Sequence, residues 1–159
     1  MKENNYMNNR IIRISDEPER IQDAAKWFHD KWGVPESAYI ESMEKSIASK
    51  SGVPAWYMIP DENGRMIAGL GVIENDFHKR HDLTPNICAV YVEESYRKQG
   101  FSRALMDHAV KALADNGVRD VYLITTHTDY YERLGFSYIG DVEEDDGGMI
   151  RMYHRSTGE

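Results

Sequence analysis

The chain has 159 residues, the length of one typical domain, and 41% of them are hydrophobic, which is enough to bury a core. A formal net charge of −8 argues against a nucleic-acid partner, because phosphates select basic surfaces, and is compatible with a cationic small molecule. Cys88 is the only cysteine, which excludes an intrachain disulfide and a cysteine-rich zinc site.

The first part of the chain is predicted to form one strand and two helices. Residues 1–9 are polar, and we predict that they form a flexible tail before a single domain over residues 10–159. RIIRIS, residues 10–15, alternates as a short strand does. Apolar residues then recur at helical spacing in two segments that end at Gly33 and Gly52, so two helices are predicted.

Three strands are predicted next. VPAWYMI (53–59) and RMIAGLGVIE (65–74) flank the turn PDENG, and NICAVYV (86–92) is a nearly continuous apolar run, typical of a strand buried on both faces. The GLG of the second strand lacks the third glycine and the following helix of a dinucleotide site. We therefore expect its glycines to relieve crowding within the sheet.

The second half of the chain contains one long helical stripe, which begins at about Phe101 and is ended by Asn116–Gly117. The remaining predicted elements are a strand over 120–125, a short helix over 128–134, and strands over 136–142 and 148–154. The resulting order, β-α-α-β-β-β-α-β-α-β-β, predicts an α/β fold with a mixed sheet.

The stretch RKQGFSRALMDHAV, Arg97 to Val110, joins the apolar strand to this helix through a basic turn that contains a glycine. The first N–H groups of a helix are unpaired and the helix dipole adds partial positive charge, so such a turn can bind an anion. Gly100 lets the backbone approach a phosphate or pyrophosphate, and Arg97, Lys98 and Arg103 add positive charge. An ordinary exposed basic helix start is the alternative. No P-loop motif is present.

Two motifs resemble those of the GNAT family of N-acetyltransferases. VYVEESYRKQGFSRALMDHAV is similar to the family's cofactor motif, a strand and a helix joined by a turn with three marked positions, here Arg97, Gly100 and Ser102. Ser102 departs from the usual glycine or alanine, but it is small. YYERLGF (130–136) resembles the family's later FYEKLGF motif, and the predicted element order matches from about residue 10 to 154. The resemblance implies a single-domain, GNAT-like mixed sheet.

The resemblance also implies acetyl-CoA as the acetyl donor and direct transfer of the acetyl group to a primary amine, without a metal. In the family, the backbone of the strand that corresponds to Val90, Tyr91 and Val92 pairs with the pantetheine arm. The residues predicted to bind the pyrophosphate are Arg97, Lys98, Gln99, Gly100, Phe101, Ser102 and Arg103. Tyr131 aligns with the family tyrosine near the thioester sulfur, so we predict that it lines the cofactor site and acts as the general acid.

The resemblance does not extend to the proton acceptor. Many family members have a glutamate at the position of Asn86, and an amide cannot act as a base. Glu74, near the end of the preceding strand, is our candidate base, and Asp129, His127 or a water chain are the alternatives. An acceptor amine with a sufficient neutral fraction would need no dedicated base.

Three other features are predicted to be chemically inert. Cys88 lies in an apolar run, where a buried thiol is expected rather than a nucleophile. In HKRH (78–81) the Lys–Arg pair would repel a cation, so we expect a solvated loop. EEDDGG (143–148) lacks the ligand alternation of a calcium loop. No metal site is therefore predicted.

Aromatic and acidic side chains near the expected acceptor site predict a cationic acceptor. The aromatic faces come from WFHDKW (27–32), Tyr39, Trp56 and Tyr57. The carboxylates come from the late acidic turn and from Glu74, Asp76, Asp82 and Asp129. We therefore predict an N-acetyltransferase acting on a small cationic amine, such as a polyamine or an aminoglycoside-like amine. A protein or peptide N-acetyltransferase and a non-catalytic CoA-binding sensor are the alternatives.

The location and partners of the protein are also predicted from the sequence. It contains neither an apolar signal core nor an apolar run of membrane length, so we expect a cytoplasmic protein with no membrane partner. Family members are often dimers, so the resemblance adds a homodimer to the expectations, although the sequence contains no specific interface signal.

Overall fold

The computed structural model describes residues 10–49 and 52–158, so the predicted tail over residues 1–9 lies outside the described residues. The strands are β1 (Ile12–Arg13), β2 (Ala55–Pro60), β3 (Met66–Ile73), β4 (Asn86–Val92), β5 (Asp120–Thr125), β6 (Ser137–Glu143) and β7 (Met149–Ser156). The helices are α1 (Ile21–Trp32), α2 (Glu36–Ala48) and α3 (Phe101–Asp115). Within this part of the chain, no helix is both long and apolar enough to cross a membrane.

The seven strands form one sheet in the order β1-β2-β3-β4-β5-β7-β6. β4 and β5 are parallel, and the other neighbouring pairs are antiparallel. The mixed α/β fold predicted from the sequence is therefore confirmed. Strands β1 to β4 form one antiparallel unit and β5 to β7 form another, and the parallel pair joins the two units at the centre of the sheet.

Helices cover both faces of the sheet because its central strands are buried on both sides. In β2, Tyr57 and Ile59 belong to a core shared with α3, while Trp56 and Met58 belong to a second core shared with α1 and α2. Successive residues of a strand face opposite sides of the sheet, and this alternation separates the two cores. The sequence NICAVYV predicts the same two-sided burial for β4, whose first three residues are buried.

The glycines of GLG allow the helices to pack closely on the sheet. A Cβ atom at Gly71 would overlap Cζ3 of Trp56, and a Cβ atom at Gly69 would lie 2.8 Å from Cζ of Phe28. Both approaches are closer than van der Waals contact, so a larger residue would displace an aromatic ring of the core. The prediction that these glycines relieve crowding is confirmed.

β4 contains a bulge at the centre of the sheet. Its register with β3 shifts so that Ala89 and Val90 lie opposite Leu70 alone. Ala89, inside the bulge, has a φ of +56°, which non-glycine residues seldom adopt. The extra residue bends β4 away from a regular ladder just before its last two residues.

The opposite edge of β4 separates from its parallel neighbour β5. The two strands are paired at one position, Asn86 with Tyr122, and the Tyr122 N–H also donates to the Pro85 carbonyl at 3.0 Å. Beyond this point the described residues include no further β4–β5 pair. The later backbone groups of β4 on this edge are therefore left without a strand partner, which opens the sheet between the two units.

The beginning of the chain differs from the prediction. The first strand covers two residues of the predicted 10–15, because the chain leaves β1 at Arg13 and makes two 3-10 turns before α1 begins. Pro18 occupies the first position of the second turn, where its missing N–H costs no hydrogen bond. The Glu17 carboxylate accepts from Nε of Arg20 at 2.6 Å and holds this turn.

The short helix predicted over 128–134 is a single 3-10 turn, Tyr131–Leu134. Asp129 precedes it with a φ of +73°, so the right-handed conformation cannot extend further back along the chain. Gly135 ends the turn in the left-handed conformation, with a φ of +91°. The consequence is a compact corner that fixes Tyr131 between β5 and β6.

Candidate active site

α3 begins directly after a turn in which Lys98 and Gly100 have positive φ values of +65° and +89°. The first bond of the helix runs from the Ala104 N–H to the Gly100 carbonyl at 3.0 Å, so the N–H groups before Ala104 have no intrahelical acceptor. A Cβ atom at Gly100 would meet no heavy atom of the described residues within 4 Å. Gly100 is therefore required by its backbone conformation, and the space in front of the turn is open to an anion.

Two side chains of the turn are held in place by neighbouring groups. Nε of Arg97 donates to the Val92 carbonyl at 2.8 Å, and the guanidinium carbon lies 5.2 Å from the centre of the Tyr91 ring. The Ser102 hydroxyl accepts a hydrogen bond from the Tyr130 hydroxyl at 2.8 Å. Ser102, which departs from the family pattern, thus ties the start of α3 to the corner that carries Tyr131.

Two other predicted cofactor residues turn their side chains elsewhere. Nε2 of Gln99 lies 3.4 Å from the Ser95 carbonyl, to which it donates. Nη2 of Arg103 donates to the Arg133 carbonyl at 2.6 Å. This second bond links α3 to the 3-10 turn after β5, so Arg103 has a structural contact of its own.

A cavity of about 630 Å³, here called the turn cavity, extends from the turn along the free edge of β4. The predicted cofactor residues that line it are Val90, Tyr91, Val92, Arg97, Lys98, Gly100, Phe101, Ser102 and Tyr131. Gln99 and Arg103 are not among its lining residues. The lining also includes residues outside the predicted cofactor set, namely Trp32, Tyr96, His127, Tyr130 and Arg133. Arg133 follows Tyr131 by two positions within YYERLGF, so the motif itself could have indicated it.

A second cavity, of about 460 Å³, lies on the other side of Tyr131 beneath the loop of residues 74–85 and is here called the loop cavity. Four residues line both cavities, namely Trp32, Val90, His127 and Tyr131. Both volumes fall within the roughly 300–1,000 Å³ of small-molecule sites. The two cavities thus meet at the bulge of β4, beside the Tyr131 side chain.

Tyr131 is 9% exposed, and its environment keeps it protonated. Burial raises the pKa of its hydroxyl above the ordinary value, and the neighbouring Tyr130 raises that pKa further. The Tyr130 ring packs edge-on against Tyr131, with centroids 4.8 Å apart, and Phe136 packs against it at 6.2 Å. A phenol held in this way at the junction of two cavities can donate a proton.

Glu74, the candidate base, lies apart from both cavities. Its side chain is exposed and it is not among their lining residues. Its carbonyl oxygen has a structural role, since it accepts from Oγ1 of Thr84 at 2.7 Å and from Nδ2 of Asn86 at 3.5 Å. Asp129 is also exposed and outside both linings. The structure therefore does not bring either carboxylate to Tyr131.

Asp76, two residues beyond Glu74, lines the loop cavity instead. Burial raises the pKa of its carboxyl to about 6, and the nearby Glu144 carboxylate raises that pKa as well. Glu144 lines the same cavity. The sequence predicts Asp76 among the acidic residues near the acceptor but does not indicate it as a base, because the conformation of its loop depends on contacts with distant parts of the chain.

Asn86 and His78 form a buried pair that fixes this loop. Both side chains are fully buried, and Nε2 of His78 lies 2.6 Å from Oδ1 of Asn86. Because Nδ2 of Asn86 donates to the Leu83 carbonyl at 2.8 Å, Oδ1 is the acceptor and His78 carries its proton on Nε2. The same Oδ1 accepts from the Asp76 N–H at 3.3 Å. The expectation of a solvated HKRH loop is thus wrong for His78, which belongs to the core of the loop.

The loop is also bonded to the acidic turn between β6 and β7. The Lys79 N–H donates to the Glu143 carbonyl at 2.9 Å, and the Asp145 N–H donates to the Phe77 carbonyl at 2.9 Å. These two bonds bring Glu144 over the loop cavity. EEDDGG therefore closes one side of a pocket. In the part of the chain that the structure describes, no group of three or more potential ligands could hold a metal ion.

Cys88 lines the loop cavity, but its thiol is buried within β4. Burial raises the thiol pKa well above its ordinary value, and the Asp76 carboxylate acts in the same direction. A thiol that resists ionisation is a poor nucleophile. The prediction of an inert Cys88 is therefore supported by its environment.

Comparisons with known proteins agree with this geometry. The family model described as "Acetyltransferase (GNAT) family" matches residues 19–136. An aminoglycoside 6'-N-acetyltransferase complexed with coenzyme A is 16% identical, with a TM-score of 0.69, and the match covers 94% of this chain and 98% of that chain. A variant of spermidine N-acetyltransferase from Vibrio cholerae is 12% identical, with a TM-score of 0.66 and coverage of 93% and 95%.

A GNAT-family acetyltransferase from Staphylococcus aureus is similar in the same way, with 15% identity, a TM-score of 0.64 and coverage of 94% of this chain and 99% of that chain. No curated protein sequence matches the chain. Identities this low establish a shared fold, and the acceptor named for each relative belongs to that relative alone. The acceptor of this chain has to be inferred from its own cavity.

Proposed function

Because this chain belongs to the GNAT family of acetyltransferases, we propose that it transfers the acetyl group of acetyl-CoA directly to the primary amine of a small cationic molecule. The observation that carries this proposal is the meeting of two cavities at Tyr131. One cavity borders an anion-binding turn and the other contains two carboxylates. Two reactants bound on either side of Tyr131 would be held for direct reaction, which is a large part of such catalysis.

The residues of the turn cavity fit acetyl-CoA, which when bound supplies an acetyl group activated as a thioester. The free edge of β4 offers backbone groups to an extended amide-containing arm. The N–H groups at the start of α3, with Arg97, Lys98 and Arg133, would hold a pyrophosphate. Open space in front of Gly100 is consistent with a bulky anion at this position.

We assign two proton-transfer roles to residues of the chain. The Tyr131 hydroxyl would donate a proton to the departing sulfur, and its raised pKa keeps that proton in place until it is needed. Asp76, rather than the exposed Glu74, would accept the proton that the amine nitrogen loses. A carboxylate whose pKa is about 6 is largely ionised at neutral pH, yet it is more basic than an ordinary aspartate.

The test is release of free thiol by the purified chain with acetyl-CoA and a panel of amines, with the acetylated product identified by mass. Tyr131→Phe is expected to lower kcat by about 100-fold, a typical contribution of general acid catalysis. Tyr130→Phe is the matched control. It removes a neighbouring hydroxyl that lines only the turn cavity, so its effect is expected in the KM for acetyl-CoA.

Two outcomes would contradict the proposal. If Tyr131→Phe transfers acetyl groups as fast as the wild type, Tyr131 is not the acid. If the wild type binds acetyl-CoA but acetylates no amine in the panel, the non-catalytic sensor is favoured. Basic peptides belong in the panel, because a clear preference for them would favour the protein N-acetyltransferase.

A further inference from the structure

We propose that the acceptor is a primary monoamine with an apolar body, an arylalkyl or alkyl amine, whose ammonium group lies between Asp76 and Glu144. This inference rests on the proposed function and narrows its substrate class. It separates this chain from acetyltransferases of polyamines and aminoglycosides, whose acceptors carry several ammonium groups.

The negative charge of the loop cavity is concentrated at one place. Asp76 and Glu144 are the only carboxylates among its lining residues, all of them within the described part of the chain, and no lysine or arginine lines it. The bond from the Asp145 N–H to the Phe77 carbonyl brings the two segments together. The influence of Glu144 on the pKa of Asp76 also indicates that the two carboxylates are close. One ammonium group placed between the two carboxylates would interact with both of them and offset one of their two negative charges.

The remaining walls of the cavity are mainly apolar. Ile73, Ile87 and Ile150 supply aliphatic surface, and Tyr39 and Trp56 supply aromatic surface. Trp32 and Phe77 are 50% and 59% exposed, and both line the cavity. Exposed aromatic side chains at a cavity are stabilised when an apolar ligand covers them, and their faces also favour a nearby cation.

Some polar groups in the lining already have partners within the protein. The Ser42 hydroxyl accepts from Nε1 of Trp56 at 2.9 Å, and Oγ1 of Thr125 accepts from the His127 N–H at 3.0 Å. Once one ammonium group occupies Asp76 and Glu144, the lining residues offer no further carboxylate to a second ammonium group, and the many hydroxyls of an aminoglycoside would lie mainly against apolar walls. Burying such groups without partners is unfavourable. An alkyl or aryl group has no hydrogen-bonding groups, so it can contact the apolar walls of the cavity without this cost.

The test compares n-hexylamine with its α,ω-diamine, two acceptors of equal length that differ only by a second ammonium group. At saturating acetyl-CoA, kcat/KM is expected to be at least about 10-fold higher for the monoamine, because the second charge would be buried unpaired. Phenethylamine is expected to behave like n-hexylamine. Spermidine, kanamycin and a lysine-containing peptide complete the panel and are expected to be poor acceptors.

The variant Ala38→Asp adds a carboxylate to the cavity and tests whether a second negative group makes a diamine a better acceptor. Ala38 lines the cavity, is exposed, and lies in the first turn of α2, where an added aspartate is compatible with the helix dipole. The new carboxylate is expected to raise kcat/KM for the diamine several-fold relative to the monoamine. Glu144→Gln, which removes half of the charge pair, is expected to raise the KM of n-hexylamine by a few-fold.

The results distinguish this inference from the proposed function. If spermidine, kanamycin or the peptide is acetylated faster than both apolar monoamines, the substrate class is wrong although acetyl transfer is established. If the diamine is already the better acceptor of the wild type and Ala38→Asp leaves the monoamine-to-diamine ratio unchanged, the inference is overturned as well. If no amine releases thiol from acetyl-CoA, the proposed function itself fails.

Discussion

The turn cavity and the loop cavity meet at Tyr131, but they are constructed in different ways. Most of the residues that line the turn cavity belong to one continuous segment, which runs from the bulge of β4 through the Arg97–Ser102 turn to the start of α3. The residues that line the loop cavity come from helices, strands and two loops that are far apart in sequence. A site built mostly from one segment can be recognised in the sequence of that segment, whereas a site built from distant segments depends on how the chain folds.

Asp76→Asn removes the proposed proton acceptor from the loop cavity and is expected to have the largest effect on activity. The carboxamide is similar in shape but cannot accept the amine proton, so kcat/KM is expected to fall about 10²–10⁴-fold. In the wild type, kcat/KM should rise with pH through about 6 as Asp76 ionises, and this rise should disappear in the variant. The measurement is a pH–rate profile at saturating acetyl-CoA.

His127→Gln is the comparison for this experiment, since an imidazole can also act as a general base and His127 lines both cavities. If the rise near pH 6 disappears with His127→Gln and persists with Asp76→Asn, the proton acceptor is His127 and our assignment is wrong. If both variants keep the rise and the rate, the amine reacts without a dedicated base.

Gly100→Ala would alter the turn cavity through the backbone. Alanine in the left-handed region costs about 1–2 kcal/mol, so the turn is expected to relax and the KM for acetyl-CoA to rise about 10-fold. Gly117→Ala is the matched control. Gly117 follows the other end of α3 with a φ of +82° and equally open surroundings, so its strain is similar but far from the cavity. Equal KM values for the two variants would contradict the assignment of the turn.

The same contrast explains how much could be predicted from the sequence. The element order and the glycine turn before α3 are local features, because consecutive residues and one glycine are sufficient to specify them. Asp76 could not be identified in this way. Its position depends on the buried bond between His78 and Asn86 and on the docking of residues 143–148, which are contacts between distant parts of the chain. The assignment of individual residues to acetyl-CoA stays a prediction.

The position of Glu74 shows why spacing along the sequence is not enough to identify the residue that acts as the base. It occupies a natural position at the end of a strand, yet its side chain is exposed and its carbonyl is used to hold Thr84 and Asn86. Two residues later, Asp76 enters the cavity because the loop folds back over the sheet. Asn86 stands where many family members have a glutamate base. Its side chain instead bonds to His78 and to the N–H of Asp76, the residue that we propose as the base here.

Asn86→Ala would test these bonds. The variant leaves the Nε2–H of His78 and the Leu83 carbonyl without their partner inside the protein, so the free energy of unfolding is expected to fall by about 1–3 kcal/mol. Thr84→Ala is the control, because it removes an exposed bond to the same loop and should cost less. Denaturant titration measures both. Equal losses would show that the buried pair does not hold the loop.

Asp76→Asn should also stabilise the fold, in contrast to its effect on activity. The pKa of Asp76 is raised from 3.8 to about 6 in the folded protein, so the native state loses stability relative to the unfolded chain as pH rises through this range. Asparagine does not ionise, so the variant should be more stable by about 1–3 kcal/mol at pH 8 and by little at pH 4. A constant difference between these pH values would contradict the raised pKa.

Glu144→Gln is expected to have the smallest effect on activity. It tests the interaction between the acidic turn, which contains Glu144, and the loop of residues 74–85, which contains Asp76. The Glu144 charge is the second cause, after burial, of the raised pKa of Asp76, so its removal should lower that pKa without restoring the ordinary value. The rise of kcat/KM should then begin at lower pH, with a plateau rate within a few-fold of the wild type. Glu143→Gln is the control, because its carboxylate binds Nζ of Lys79 at 3.2 Å and does not line the cavity. If the pH–rate profile shifts with Glu143→Gln and not with Glu144→Gln, the Glu144 carboxylate does not act directly on Asp76. The docking of the two segments would then set the pKa of Asp76.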